Sequence, residues 1–464
     1  MYKVFYKPTE DKWMGDIMPF GKDGKFYLYH QRDPRKPGPL TDNDEPFGWS
    51  LSTTTDFVNY DDHGDAIPAG SADDPAQWIY AGSVFEADGK VQAFYTGYNK
   101  KAEQEGRASQ VLLHGVSTDF DHFQKNVDKL LLPAQEGYDK TDWRDPWVIW
   151  NEDKQEYLLI LGTRLAGPKS KLTGRIVSFT SKNLKDWTFQ GDFFAPNLYT
   201  GLEMPDLFKM GDWWYLLYTE YSEQSKTRYR MSKNIDGPWL KPQDDSFDGR
   251  AYYAARTAFD GKRRVLFGWV PTREEGKGDK VNWEWGGTYV PLELVQRNDG
   301  TLATKLPDEL TKQFTEETHL ADLSIDNQTG RTEKIIAQNV GKHFVLDMDV
   351  TCQDGISNIA LRFFKNVETD ESYQYLLSAD DRRLVFDKSP EWPWFQMMNK
   401  GLDRPLAKSE FEKMHIKLMV DDDIAVIVVN GISLIARVYQ KFGDDLALAV
   451  SNGKAEFSNI TLRK

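Results

Sequence analysis

The chain has 464 residues, enough for two or three domains, and its 58 basic and 72 acidic side chains give a net charge of −14 at pH 7. An acidic chain without a basic stripe is a poor candidate for binding nucleic acid or an anionic membrane surface, so we expect neither partner. The single cysteine, Cys352, excludes an intrachain disulfide, and the N-terminus lacks the apolar core of a signal peptide, so the sequence predicts a cytoplasmic location.

Aromatic-rich segments typical of strands recur five times in the first 300 residues. Each follows a turn-forming stretch and another strand-like segment, and their starts are 50 to 66 residues apart, at Lys25, Lys90, Glu156, Trp213 and Arg263. A repeat of this size with three or four strands is typical of one propeller blade. We therefore predict an all-β protein with a five-bladed β-propeller over residues 1–310. An irregular barrel or sandwich is the alternative, but it leaves the repetition unexplained.

The last third of the chain does not continue this repeat. Residues 311–331 are polar and rich in turn formers, which predicts a linker. Residues 332–464 again contain strand-like runs, and the Asn430-Gly431 pair is a strong hairpin signal, so we predict a β-sandwich. This region has no visible catalytic set. We expect it to pack on the propeller, with formation of a homodimer as an alternative role.

Three carboxylates begin the leading strands of three repeats: Asp16, Asp145 and Glu203. Because the first strand of each propeller blade lines the central channel, the three would meet at one mouth. Taken singly, each is more simply a turn, ion-paired or loop residue, but all three have apolar neighbours, which makes a solvated surface role less fitting. Cleavage of a glycosidic bond uses two carboxyl groups, one protonated and one ionised, and a third can hold sugar hydroxyls. The pattern therefore indicates a glycosidase.

Metal and cofactor chemistry finds little support in the sequence. The seven histidines have no ligand-like spacing, and there is no cysteine cluster. Neither a phosphate-binding loop nor a dinucleotide fingerprint is present. We therefore expect neither a metal nor an organic cofactor.

Several motifs resemble those of glycoside hydrolase family 32, the invertase, levanase and inulinase family. WMGDIMPF resembles the family motif WMNDPNG, WRDPWV contains the RDP motif, and EMPDLF resembles ECPDLF. The resemblance covers essentially the whole chain and implies the same propeller and sandwich. It also implies a retaining mechanism with Asp16 as nucleophile, Glu203 as acid/base and Asp145 as stabiliser of the transition state.

The resemblance implies a small fructose-containing substrate. The expected reaction releases terminal β-fructofuranosyl residues from sucrose or short fructo-oligosaccharides, with fructosyl transfer as a second outcome. By position in the motifs, the resemblance assigns substrate contacts to Arg144, Gln31 and Ser83. Five tryptophans are candidates either for sugar contact or for core packing: Trp13, Trp49, Trp78, Trp143 and Trp285.

The sequence departs from the family beside the expected nucleophile and acid/base. Gly15 replaces the asparagine before the nucleophile, and Met204 replaces the cysteine after the acid/base. These changes put the usual sucrose or fructan specificity in doubt. The mechanism requires Asp16 to be ionised while Glu203 holds a proton. Two alternatives stay open: an inverting arabinanase-like or xylosidase-like enzyme with five blades, and a sugar-binding protein without catalysis.

Overall fold

Antiparallel strands account for nearly all regular structure in the computed structural model, which describes residues 4–6, 13–33, 45–125, 130–273, 283–390 and 401–464. Within these ranges only two short α-helices occur, α1 (Lys100–Gln104) and α2 (Asp308–Thr311), together with a 3-10 helix (Lys408–Glu412). No helix in the described part of the chain is long and apolar enough to cross a membrane.

The propeller strands fall into five consecutive groups. The first blade contains β1 (Trp13–Lys22), β2 (Lys25–Asp33), β3 (Trp49–Thr54) and β4 (Asp61–Ile67). The second contains β5 (Trp78–Ala87), β6 (Lys90–Tyr98), β7 (Gln110–Ser117) and β8 (Leu132–Pro133). The third contains β9 (Tyr138–Asn151), β10 (Glu156–Leu165), β11 (Gly174–Ser181) and β12 (Thr188–Phe194).

The fourth and fifth blades complete the ring. The fourth contains β13 (Leu202–Met210), β14 (Trp213–Glu220) and β15 (Thr227–Ser232). The fifth contains β16 (Tyr253–Phe259), β17 (Arg264–Arg273), β18 (Trp283–Gln296) and β19 (Leu302–Lys305). The leading strands β1, β5, β9, β13 and β16 contact one another in turn around the axis, and Met14 pairs with Gly287 to join the first blade to the fifth. The five-bladed propeller predicted from the sequence is therefore confirmed.

Every channel strand carries the same β-bulge. In each, two residues oppose one residue of the following strand, because the pairing register shifts by one at that point. The bulged pairs are Gly15-Asp16, Tyr80-Ala81, Asp145-Pro146, Met204-Pro205 and Ala254-Ala255. The first residue is left-handed in three of them, with φ of 64° at Asp145, 52° at Met204 and 55° at Ala254. A bulge bends its strand and re-aims side chains, so these five bulges shape one end of the channel.

The C-terminal region forms the predicted β-sandwich around its own apolar core. Its strands are β20 (Glu317–His319), β21 (Leu323–Ala337), β22 (His343–Cys352), β23 (Asn358–Lys365), β24 (Ser372–Ser378), β25 (Arg383–Ser389), β26 (Asp403–Pro405), β27 (Met414–Asp421), β28 (Ile424–Val429), β29 (Ile432–Arg437) and β30 (Asp445–Arg463). The hairpin between β28 and β29 turns at Asn430 and Gly431, whose φ angles of 47° and 81° suit the tight turn that this pair favours.

The segment expected to be a linker is partly strand. Within 311–331, β20 and the first part of β21 pair with β30. Their side chains are mostly exposed, so the sequence lacks the apolar alternation that marks a half-buried strand. We therefore propose that the sandwich domain begins at β20 instead of after residue 331.

Arg437 of β29 fastens the sandwich to the fifth blade. Its side chain is 3% exposed and donates to the carbonyl oxygens of Pro271 (3.0 Å) and Val270 (2.9 Å) and to the hydroxyl of Thr288 (2.9 Å). An arginine suits this task because its planar guanidinium offers several donors in a fixed geometry. One apolar cluster also contains side chains from both domains, which extends the contact beyond this arginine.

Replacing Arg437 by methionine should loosen this interface. The change leaves buried carbonyl groups of β17 without their donor, and we expect a loss of about 3 kcal/mol in the free energy of unfolding. Arg383→Met is a suitable control, because the Arg383–Asp403 ion pair is about half exposed on the arginine side and should contribute less than about 1 kcal/mol. Calorimetric unfolding of both variants tests this, and equal losses would contradict it.

Candidate active site

The three predicted carboxylates lie beside the bulges of three channel strands. Glu203 directly precedes the bulge of β13, Asp145 is the first bulged residue of β9, and Asp16 is the second bulged residue of β1. The sequence pattern treats the three as equivalent, whereas the structure staggers them by one residue each. Because a bulge interrupts the alternation of side chains, side chains at neighbouring positions can face the same mouth of the channel. The charges of Asp145 and Glu203 both act on Asp16 there.

Asp145 is held by three other blades. Its carboxylate accepts a hydrogen bond from the Met204 amide (2.9 Å), and its own amide donates to the Thr96 hydroxyl (2.9 Å). Its carbonyl oxygen accepts from Arg256 Nη2 (2.7 Å). Burial raises the pKa of Asp145, while the guanidinium groups of Arg144 and Arg256 act in the opposite direction. The left-handed backbone of this aspartate is therefore supported by bonds on every side.

Glu203 is engaged through both carboxyl oxygens. Arg144 Nη2 lies 2.8 Å from Oε1 and makes an ion pair, and the Tyr253 hydroxyl donates to Oε2. Arg144 is itself oriented by Asp142, whose Oδ1 lies 2.7 Å from Nη1. Burial and the neighbouring Glu203 raise the pKa of the Tyr253 hydroxyl well above its ordinary value, so it stays a donor at neutral pH. A cation and a neutral donor thus fix the orientation of this carboxyl group.

Asp16 has a different environment. Its Oδ1 accepts a hydrogen bond from the Trp269 indole (3.1 Å), a neutral donor. Burial, followed by the charges of Asp145 and Glu203, raises the pKa of Asp16 to about 8. This shift favours the protonated form of Asp16 in the unliganded site, whereas the mechanism expected from the sequence requires this group to be ionised. Burial is the main cause, and Arg144, which could offset it, is paired with Glu203 instead.

The other predicted polar contacts differ in their surroundings. Arg144 touches Glu203, as described. Gln31 and Ser83 are each 2% exposed and bind main-chain groups of the next blade. Gln31 Nε2 donates to the Ile79 carbonyl (3.0 Å), and the Ser83 hydroxyl accepts from the Val148 amide (3.1 Å). The structure thus brings Arg144 to the carboxylates and gives Gln31 and Ser83 bonds between blades.

Four of the five predicted tryptophans contact main-chain carbonyls, another aromatic ring or an arginine. Trp49 and Trp143 have no exposed surface, and their indoles donate to main-chain carbonyls, so they pack in the core. The Trp78 ring lies 5.5 Å from that of Tyr98, and the Trp13 ring lies 5.5 Å from the guanidinium of Arg437.

Trp285 reaches the mouth itself. It is 40% exposed and packs edge-on against Trp269, with 5.8 Å between ring centroids. Its indole also lies against Gly15, where an added Cβ would come within 2.0 Å of the ring atom Cη2. The missing side chain at Gly15 therefore leaves the space that this tryptophan fills, directly beside Asp16.

Sequence reasoning missed three groups at the site: Tyr253, Trp269 and Arg256. All three come from the fifth blade, which carries none of the three carboxylates. A signal was available in the repeat, since Tyr253 precedes its bulge as Glu203 does. Trp269 is paired with Tyr253 across the adjacent strand.

Asp16→Asn should change how stability depends on pH. Between about pH 4 and pH 8 the folded protein keeps a proton on Asp16 that the unfolded chain releases, so the free energy of unfolding falls as pH rises. Asparagine does not titrate, so the variant lacks this pH-dependent contribution to the free energy of unfolding. We expect the free energy of unfolding of the variant to match that of wild type near pH 4 and to exceed it by about 1–3 kcal/mol at pH 8. This range is smaller than the full pKa shift implies, because Asp16 is partly open to solvent.

Thermal and denaturant unfolding at pH 4, 6 and 8 measure this difference. Asp73→Asn, at an exposed aspartate, should leave the pH dependence unchanged. A difference between Asp16→Asn and wild type that is constant across pH would contradict the pKa assigned to Asp16.

Comparison with known proteins places this site in a family. The model of the glycosyl hydrolases family 32 N-terminal domain matches residues 7–305. Sucrose-6-phosphate hydrolase of Escherichia coli is 23% identical over 98% of this chain and 93% of that protein. The levanbiose-producing levanase of Bacillus subtilis (strain 168) is 24% identical over 99% of this chain and 90% of that protein.

Solved structures share the whole fold. Fructan 1-exohydrolase IIa from Cichorium intybus in complex with 1-kestose has a TM-score of 0.79 and 14% identity, covering 100% of this chain and 98% of that one. Sucrose-6-phosphate hydrolase from Lactobacillus gasseri has a TM-score of 0.73 and 20% identity, covering 97% and 90%. The family match, together with the two hydrolases of similar sequence, shows that the chain belongs to glycosyl hydrolases family 32 and is a glycoside hydrolase of the β-fructofuranosidase type.

Proposed function

We propose that the protein cleaves terminal β-fructofuranosyl residues from sucrose or short fructo-oligosaccharides, with retention of configuration. The observation that carries this proposal is the meeting of Asp16, Asp145 and Glu203 from three blades at one channel mouth. Their environments differ, since Glu203 has a cation partner and Asp16 a neutral donor. The relatives named for sucrose 6-phosphate and for levan support fructosides as the substrate class.

The chemistry divides into two displacements. Asp16 attacks the anomeric C2 and forms an ester to the fructosyl group, while Glu203 gives its proton to the departing glycosidic oxygen. Glu203 then takes a proton from water, whose oxygen attacks C2 and releases Asp16 as a carboxylate together with free fructose. A sugar hydroxyl in place of water gives a transfer product. Asp145 accepts hydrogen bonds from fructose hydroxyls, and its charge stabilises the positive charge that develops at C2 and the ring oxygen.

Substrate binding must first move the proton. The raised pKa favours the proton on Asp16, and because Glu203 must hold a proton when Asp16 attacks, the proton has to pass from Asp16 to Glu203. Sugar hydroxyls that donate to Asp16 would stabilise its ionised form, because a hydrogen bond to a carboxylate lowers its pKa. The two carboxyl groups would then be in the states that acid catalysis and nucleophilic attack require.

The proposal is tested by fructose release from sucrose, sucrose 6-phosphate, inulin-type oligomers and levan-type oligomers. Wild type should act on at least one of them. Asp16→Asn and Glu203→Gln should each lower kcat by on the order of 10³-fold, because one removes the nucleophile and the other the acid. Glu152→Gln, at an exposed turn after β9, is a matched control that should keep wild-type activity.

Failure of wild type to release fructose or form a transfer product from any of the four would contradict the proposal. Wild-type turnover by Asp16→Asn would contradict the role of Asp16 alone. The cytoplasmic location and the homodimer expected from the sequence stay predictions.

A further inference from the structure

We propose that Arg256 is a positioning residue of this site: its buried side chain ties three blades together at the bulge that carries Asp145 and supplies positive charge near Asp145 and Asp16. The proposal rests on the proposed function where activity is its readout. It assigns to a buried arginine of the fifth blade a role in the ionisation of carboxylates on the first and third blades.

The geometry of Arg256 supports the first part of this role. The residue directly follows the bulge of β16 and has no exposed surface. Nη1 donates to the Gly82 carbonyl of β5, and Nη2 donates to the Asp145 carbonyl of β9 at 2.7 Å. Its guanidinium lies 5.2 Å from the centroid of the Trp147 ring. One side chain therefore fixes the bulge that carries Asp145 relative to two other channel strands.

The charge of Arg256 supports the second part. Both terminal nitrogens bond to neutral carbonyls, and Nε has no hydrogen-bond partner among the described residues. A buried cation is costly unless opposite charges lie near it. The negative groups that act on Arg256 are Asp145, Asp206 and Asp16, in that order. Its charge is thus balanced by the carboxylates of the site instead of by a bonded ion-pair partner.

The influence is mutual. Arg256 lowers the pKa of Asp16 and of Asp145, against the burial and the like charges that raise them. Asp16 also faces Glu203 and the Trp269 indole, and Asp145 also faces Arg144. Arg144 is bonded to Glu203, whereas Arg256 is a cation that acts on Asp16, more weakly than burial and the two like charges do. Without this charge, ionising the nucleophile would cost more.

Arg264 provides a matched control within the same channel. Asp206 lies on β13 beyond Arg256, and its Oδ2 accepts from the amide and the hydroxyl of Thr257, both at 2.7 Å. Arg264 is influenced by Asp206 and packs 4.1 Å from the Phe208 ring centroid. It is partly buried, whereas Arg256 is fully buried, and its charge acts on Asp206 and not on the three carboxylates at the mouth.

The test compares Arg256→Lys, Arg256→Met and Arg264→Met by kcat/KM against pH, with the fructoside that wild type cleaves best. Methionine removes the positive charge, so Asp16 ionises only at higher pH, and the acid limb should move up by about 1 pH unit. We expect kcat at pH 6 to fall by about 100-fold, with a smaller change in KM. Arg256→Lys keeps the positive charge, so the acid limb of the pH profile should stay where it is in wild type. We expect kcat to fall about tenfold, because lysine cannot make the same pair of hydrogen bonds to the two carbonyl groups.

Arg264→Met should have lower thermal stability than wild type, with the acid limb of its kcat/KM profile at the same pH as in wild type. A purely structural role for Arg256 predicts lower activity of the folded fraction with an unchanged pH profile, and that result would overturn the proposal. An equal shift of the limb in Arg264→Met would overturn it as well.

A second measurement does not depend on turnover. Wild type stops losing stability with rising pH once Asp16 ionises in the folded protein, at about pH 8. Arg256→Met should show an extra loss of stability above about pH 8, because the proton on Asp16 becomes harder to release. This extra loss should vanish in the double variant Asp16→Asn/Arg256→Met. If it persists there, the charge does not act on Asp16 and the proposal fails. If it vanishes while no fructoside is cleaved by wild type, the proposed function fails and the role of Arg256 stands.

Discussion

Asp16, Asp145 and Glu203 share a channel mouth in which burial opposes charge and each carboxylate repels the other two. Two nearby arginines offset part of this repulsion. Arg144 neutralises Glu203 from the third blade, and Arg256 acts on the two aspartates from the fifth. Burial and the like charges raise the pKa of Asp16, so this is the carboxyl group on which a proton is favoured in the unliganded site. The catalytic cycle that we propose begins with the transfer of that proton to Glu203.

The repeated bulge links this chemistry to the fold. An unbroken strand would alternate its side chains, so residues one apart would face opposite sides. The bulges at Gly15-Asp16, Asp145-Pro146 and Met204-Pro205 let three successive positions serve one mouth. Pairing of Met14 with Gly287 then brings the fifth blade beside the first, which places Trp269 on Asp16.

Most of the architecture could be read from the sequence, because turn-forming and aromatic segments repeat with every blade and apolar neighbours mark Asp16, Asp145 and Glu203. What could not be read depends on distant pairings. Tyr253 is 50 residues from Glu203, and Trp269 is 253 residues from Asp16, so no local pattern joins them. The strand β20 and the first part of β21 were missed because their exposed side chains do not alternate with buried ones. The raised pKa of Asp16 follows from its burial and from carboxylates on other blades, which composition and spacing do not specify.

Gly15 shows how a departure from the family motif is accommodated. In isolation the loss of an asparagine beside the nucleophile suggests a gap. The structure fills that space with the Trp285 indole, which packs on Trp269 and thereby against the group that bonds Asp16. The wall beside the nucleophile is therefore aromatic in this chain, and a side chain at position 15 would require the indole to move.

The central claim is that Asp16 forms a covalent bond to the sugar. Glu203→Ala slows hydrolysis of the intermediate by removing the base, while a β-fructofuranoside with a good leaving group needs little acid assistance in the first step. Rapid quenching of this variant, proteolysis and mass spectrometry should locate one added fructosyl group on the peptide that contains Asp16. A fructosyl group on another peptide, or turnover with no labelled peptide at any quench time, would contradict the account.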